Sequence, residues 1–202
     1  PLDLTRHDDI APAVTDALHT QGPCAVLINN AGSGHFAPST DWSRQDHQRM
    51  FDLHYLAAVE LIQAVLPAMR ERRRGHVINV CSIATRISPW GHSGYTAAKA
   101  ALEKLTQTLH AELAPEGLAF TSVHPGLIDT AFFDQPSYKP LREQVRRHAV
   151  PPQRVANAIE RLLRRRRTPL HIYVPAYYRL ISGLSHITPR LTHGLIARQS
   201  GG

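Results

Sequence analysis

The 202 residues are enough for one domain with its own core, and a hydrophobic content of 43% is that of an ordinary globular chain. The net charge is +7, and only Lys99, Lys104 and Lys139 of the basic residues are lysines. No run of 18 apolar residues marks a membrane span and no signal-peptide pattern is visible. Cys24, Cys81 and the thirteen histidines fall in no metal-ligand spacing, so a reducing, cytoplasmic setting and no metal site are expected.

In chain order, residues 9–19 read as a first helix. Residues 25–29 (AVLIN) form a buried strand that ends in a turn at Asn30, Ala31 and Gly32. Residues 41–73 hold one or two helices, with Pro67 near the end. A second strand spans 76–82. The best helix spans 94–114, with Ala97, Ala98, Ala101, Leu102, Leu105 and Leu109 as its apolar stripe. A third strand (119–124) stops at Pro125-Gly126, Pro151-Pro152 opens another helix, and a fourth strand (170–174) stops at Pro175. Continuous apolar strands alternating with helices predict an α/β fold, a doubly wound parallel sheet of Rossmann-like type covered on both faces.

Residues 127–150 are polar and weakly periodic. They follow a strand end, where open α/β sheets place ligands, and read as a substrate loop with a short helix. Residues 176–197 mix apolar side chains with Arg179 and Arg190. A lid over a lipophilic pocket, a dimer contact, a membrane-surface helix and an ordinary packed segment all fit them. Two arginine runs, 72–74 and 164–167, fall where helices should end and suit the helix dipole. No aromatic interleaving accompanies them, so nucleic acid is not expected as a partner.

The chemistry concentrates around Tyr95. Lys99 follows it by four residues, which on a helix places both side chains on one face, and Ser82 precedes it by thirteen. A phenol with a pKa of roughly 10 moves protons poorly at neutral pH, and a nearby ammonium would lower that value. Ser82 would orient a substrate carbonyl. In a chain that otherwise uses arginine, a lysine at 99 fits a need for a compact ammonium. This equipment interconverts a carbonyl and an alcohol.

Taken together, Asp3-Leu4-Thr5, Asn29-Asn30-Ala31-Gly32, Ser82, Tyr95-x-x-x-Lys99 and Pro125-Gly126-x-Ile128-x-Thr130 resemble the short-chain dehydrogenase/reductase family. The resemblance implies NAD or NADP as cofactor and a small-molecule alcohol or ketone as substrate, with Ile83, Trp90, Phe132 and Phe133 offering it a lipophilic lining. It implies Tyr95 as general acid or base, Lys99 on the nicotinamide ribose, and Ser82 on the substrate oxygen. It further implies Asp3 at the adenine, Asn30, Ala31 and Gly32 beside the adenosine ribose, and Pro125, Gly126, Ile128 and Thr130 along the nicotinamide. His54 stands where the family often has an asparagine whose backbone carbonyl holds a relay water. It is either a contributor to that relay or a plain helix residue.

Residues 1–175 are then a Rossmann-like domain and residues 176–202 a separate C-terminal segment. The family's Gly-rich turn and first strands have no counterpart here, since no glycine set forms GxxxGxG. The expectation is an N-terminally truncated α/β/α sandwich, with residues 1–4 ending the family's third strand, residues 25–29 at an open edge, and this fragment itself inactive. A homodimer or homotetramer built on residues 42–70 and 94–114 is expected of the intact protein. The alternative is a non-catalytic relative acting as a scaffold or ligand-binding protein.

Overall fold

A computed structural model of the chain describes residues 2–187. Four strands, β1 (Val26–Asn29), β2 (Gly75–Val80), β3 (Leu118–Pro125) and β4 (His171–Val174), pair in parallel in the order of the sequence. Their register is set by pairs such as Ile28 with Ile78 and Val77 with Phe120. The four expected strands are present within about a residue or two of their predicted ends. Leu2, Asp3 and Leu4, expected to close a strand, form none. Asp3 instead turns the chain, its carboxylate accepting from the Thr5 amide and hydroxyl at 2.9 and 2.8 Å.

The helices are α1 (His7–Gln21), α2 (Arg44–Phe51), α3 (Ala57–Glu71), α4 (Ala84–Ile87), α5 (Ser93–Leu113), α6 (Arg142–His148), α7 (Gln153–Leu163) and α8 (Tyr178–Ile187). Alternation along the strands sorts them onto two faces. Val77, Leu118 and Phe120 point to Ile62, Val65 and Met69 of α3 and to Leu113 of α5. Ile78, Val80, Val123 and Val174 point the other way, to Leu162 of α7. Helices therefore cover both faces of a parallel sheet, as the apolar strands require. β1 forms one edge, and its Ile28 is 42% exposed.

The helix or helices expected over 41–73 form one run from Arg44 to Glu71. Ser43 starts it with a reciprocal capping box to Asp46. A π turn, Asp52–Leu56, joins α2 to α3, with the Ala57 amide reaching back to the Asp52 carbonyl. The run is long and apolar enough to cross a membrane by length and composition. Its buried Ala57, Ala58, Ile62, Val65 and Met69 instead face the sheet and neighbouring helices, as in the core helix of a globular domain.

Arg72 shows what the first arginine run does. Its guanidinium donates to the Ala68 carbonyl in the last turn of α3 at 2.9 Å and to the Cys24 carbonyl at 2.8 Å, closing that helix end onto the start of β1.

The turn from α5 into β3 depends on Gly117. Its φ is +90°, and a Cβ there would lie 2.5 Å from the Arg73 carbonyl oxygen. Gly117→Ala combines left-handed backbone strain with a backbone clash, and is expected to cost about 1–3 kcal/mol in urea unfolding.

Candidate functional site

The carboxyl ends of the four strands open into a cleft of about 1580 Å³, where an open α/β sheet places its ligand. Ser82, Tyr95, Lys99 and His54 line it together with Asn30, Ala31, Gly32, Pro125, Gly126, Ile128 and Thr130. Asp3 does not. Its neighbour Leu4 lines a separate recess of about 70 Å³ beside Asn29, His54 and Lys99.

Tyr95 and Lys99 lie one turn apart in α5, which packs along β2 and β3. Lys99 is 4% exposed, and its Nζ donates to the Val80 carbonyl, at the end of β2, at 2.7 Å. Burial lowers its pKa to about 8. Ser82 lies two residues beyond β2. Its Oγ accepts from the Ala84 amide at 3.0 Å, and its hydroxyl acts on the Tyr95 phenol in the sense that favours the phenolate.

Tyr95 departs from the sequence-based expectation. Burial raises its pKa to about 12, and the nearby Ser82 hydroxyl only partly opposes that rise. Lys99 is not among the groups that move it. Its ammonium is turned to the Val80 carbonyl instead. Next to Ser82, burial likewise raises the Cys81 thiol to about 12 and keeps it inert.

His54 sits on the π turn and is 2% exposed. Its Nε2 lies 2.7 Å from the Ser33 carbonyl, so Nε2 carries the proton and Nδ1 is bare. Its ring meets that of Tyr95 edge-on at 5.2 Å. A Cβ on Gly32 would lie 2.7 Å from the ring, so the glycine is what lets the 30–34 turn close over it. Burial, then the charge of Lys99, lowers its pKa to about 3.

A polar seam supports the floor. Asn29 donates to Asn79 at 2.8 Å, Asn79 to Thr106 at 2.9 Å, and Thr106 to the Leu102 carbonyl at 2.7 Å, tying β1 and β2 to α5. Above it stands a wall of rings. Ile83, Trp90, Phe132 and Phe133 line the cleft as read from the sequence, and Phe36 and His92 join them. Phe36 meets Trp90, His92 and Tyr138 at 5.2, 5.4 and 5.9 Å. Phe36 and His92 were missed because single rings in loops carry no periodic signal. The expected substrate loop contains two 3-10 turns, Ala131–Asp134 and Pro136–Leu141, before α6. From the C-terminal segment, Tyr177, Tyr178 and Ile181 reach the cleft, and α8 packs on α4 and β4. The part of that segment beyond residue 187 lies outside the described residues.

A family model described as short chain dehydrogenase matches residues 1–139. An uncharacterised oxidoreductase of Mycobacterium tuberculosis is 39% identical over 132 residues. That match takes in 64% of this chain and 39% of the relative's length, so the chain spans well under half of that relative. A short-chain dehydrogenase from Streptomyces avermitilis superposes with a TM-score of 0.81 at 31% identity, over all of this chain and 79% of that one. A gluconate 5-dehydrogenase from Burkholderia cenocepacia, solved with NADP and tartrate, gives a TM-score of 0.63 at 25% identity over 68% of this chain and 55% of that one.

The low pKa of His54 makes acid sensitivity measurable. The unfolded chain takes a proton near pH 6.5, and the folded one refuses it until about pH 3. The group's contribution to stability is complete above pH 6.5 and is lost as pH falls toward 3. The urea midpoint should fall across that window. His54→Gln, which keeps a donor for the Ser33 carbonyl but cannot titrate, should flatten part of the slope.

Proposed function

The chain belongs to the short-chain dehydrogenase family, and from that premise we propose that the protein interconverts a lipophilic secondary alcohol and a ketone with NAD or NADP. The observation that carries this reading is the meeting of Ser82, Tyr95 and Lys99 at the polar floor of a mostly apolar cleft.

The residues present fit the nicotinamide end of such a cofactor. Lys99 lines both the cleft and the recess and has donors beyond the one given to Val80, for ribose hydroxyls. The 125–130 segment lies along the same wall, fixed by the Gly126 amide to Val174 and the Ile83 amide to Pro125. Asp3, committed to Thr5, gives no comparable support at the adenine end. When bound, the cofactor supplies or accepts the hydride.

The protein's own residues handle the proton. At pH 7, with Tyr95 near 12 and Lys99 near 8, the pair rests as neutral phenol and ammonium. That is the state of a general acid, ready to protonate the oxygen of a ketone as charge develops on it. Ser82 directs its hydroxyl proton to the same oxygen and orients it. The Ser82 hydroxyl, which favours the phenolate, supports the charge left behind, and Lys99 holds the ribose side of the site. His54 holds the Tyr95 ring edge-on and the 30–34 turn in place, and so acts by positioning. Alcohol oxidation needs the phenolate instead, and is favoured as pH rises.

On the same reading the protein is a cytoplasmic homodimer or homotetramer built on the Arg44–Glu71 run and α5. Residues 176–187, from which Tyr177, Tyr178 and Ile181 reach the cleft, form a lid or interface over its apolar mouth. Light scattering at micromolar concentration checks the assembly, and a monomer counts against it.

The activity is tested on the intact protein, since this fragment alone is expected to be inactive, with NADH and NADPH against hydrophobic ketones such as 1-decalone. Tyr95→Phe should lower kcat by about 100- to 10,000-fold, as expected for loss of a proton donor. Ketone reduction should decline as pH rises through about 8, where Lys99 loses its proton, and Lys99→Arg should shift that limb to higher pH. Equal turnover by the parent and Tyr95→Phe would remove the reading.

A further inference from the structure

Behind Ser82 lies a polar chain that the reaction above does not use. His124, in β3, is fully buried and points to the α5 face. Its Nδ1 is 3.2 Å from the Ser82 carbonyl oxygen, and its Nε2 is 3.1 Å from Nδ1 of His171 in β4. A carbonyl can only accept, so Nδ1 carries the proton. Burial lowers the pKa of His124 and keeps the ring neutral, so Nε2 is bare and accepts from His171. Tyr173 stacks on the His124 ring, with centroids 4.8 Å apart and planes at 19°. Its hydroxyl lies 3.0 Å from Ser182 Oγ on α8.

The charged groups facing this chain are Glu103 of α5 and Arg86 of α4, paired with each other, and, towards His171, Lys104 and His110 of α5. Glu103, His124 and His171 bring ligand-type atoms within 4.8 Å of one another. Arg86 and the Gln107 amide, at 3.0 Å, both donate to the Glu103 carboxylate. The trio is thus built as a hydrogen-bonded cluster around an ion pair rather than as an open cation site.

Ser82 needs outside support, because it sits in a turn beyond the ladder. The flanking Cys81 and Ile83 amides bond the Val123 and Pro125 carbonyls at 2.8 and 2.9 Å, so the turn runs alongside β3. The Thr85 hydroxyl and amide reach the Ser82 carbonyl from within the same turn, at 3.0 and 3.3 Å. The His124 imidazole reaches it from the neighbouring strand.

We propose that His124 is a positioning residue. Its Nδ1–H fixes the rotation of the Ser82 peptide, and with it the aim of Ser82 Oγ at Tyr95, while the His171 and Tyr173 contacts tie that anchor to β4 and α8. The inference rests on the roles of Ser82 and Tyr95 given above, and a small displacement of such a group is enough to cost rate.

Two substitutions of similar size separate this role from simple packing. In His124→Asn the amide nitrogen takes the place of Nδ1 and keeps the Ser82 contact. In His124→Gln the amide takes the place of Nε2 and keeps the His171 contact. The probe is the ring Cζ resonance of Tyr95 in carbon-13 NMR of the full chain, assigned with Tyr95→Phe, with Ser82→Ala giving the displacement caused by losing Ser82. His124→Gln should reproduce most of that displacement and His124→Asn little of it. With 1-decalone and the intact protein, kcat should fall about tenfold in His124→Gln at unchanged KM, and stay near the parent value in His124→Asn.

A parent-like Tyr95 signal in His124→Gln, alongside a moved one in Ser82→Ala, overturns the proposal. A signal unmoved by Ser82→Ala takes down both this proposal and the Ser82–Tyr95 contact beneath it. The expected NMR pattern without turnover upholds the positioning role and removes the alcohol–ketone reading alone.

Discussion

The site depends on one buried contact, the Lys99 ammonium on the Val80 carbonyl. An ammonium taken out of water is costly unless its donors find partners, and here the partner is the last carbonyl of a central strand. The contact fixes the height of α5 along the sheet. Since Tyr95 lies one turn before Lys99, the height of the phenol above the strand ends is fixed with it. The Asn29–Asn79–Thr106 seam repeats the same tie a turn or two further along α5. The seam requires Asn79 to face α5. A one-residue slip of β2 would send Asn79 to the α7 side and bring Ile78 against the polar seam. Strand register and catalytic geometry are one constraint.

The same burial sets the protonation state. It lowers Lys99 and raises Tyr95, favouring the neutral form of each, but to different degrees against different starting values. The lysine remains mostly charged at neutral pH and the phenol uncharged. His54 feels both effects at once, since burial and the Lys99 charge push it the same way. It is thereby held as a neutral ring beside Tyr95.

What the sequence made legible, and what it hid, follows from range. The four strands and α5 were readable because apolar runs and helical stripes are local patterns. Tyr95 and Lys99 were readable because their relation spans a single helical turn. The π turn at His54 was not, because residues 52–56 carry no punctuation and the extra residue per turn is imposed by packing against Tyr95 and the 30–34 turn. Asp3 matched a family position by type, yet its carboxylate folds back on Thr5, a choice a short local motif makes without regard to any ligand. The direction of the Tyr95 shift also escaped, since spacing shows that an ammonium is near but not where it points. His124, His171 and Ser82 are 42 and 47 residues apart in sequence and meet only through the pairing of β2, β3 and β4.

The cleft thus has two halves with different mechanical character. The proton-handling half stands on regular elements: Tyr95 and Lys99 on a 21-residue helix, and Ser82 beside a strand end braced by its neighbour. The half that would meet the body of a substrate is made from the ring wall, the short turns of residues 131–141, and α8. Irregular segments of this kind tolerate substitution better than a sheet or its crossover helix, because fewer ladder bonds and core contacts depend on them. Side chains such as Phe36, Trp90 and Phe133 can therefore change the shape of the lining while the Val80–Lys99 contact and the Asn29–Asn79–Thr106 seam stay intact. On the proposed reading, a fold arranged this way keeps one proton transfer fixed and leaves the choice of carbonyl compound to the residues least bound to the core.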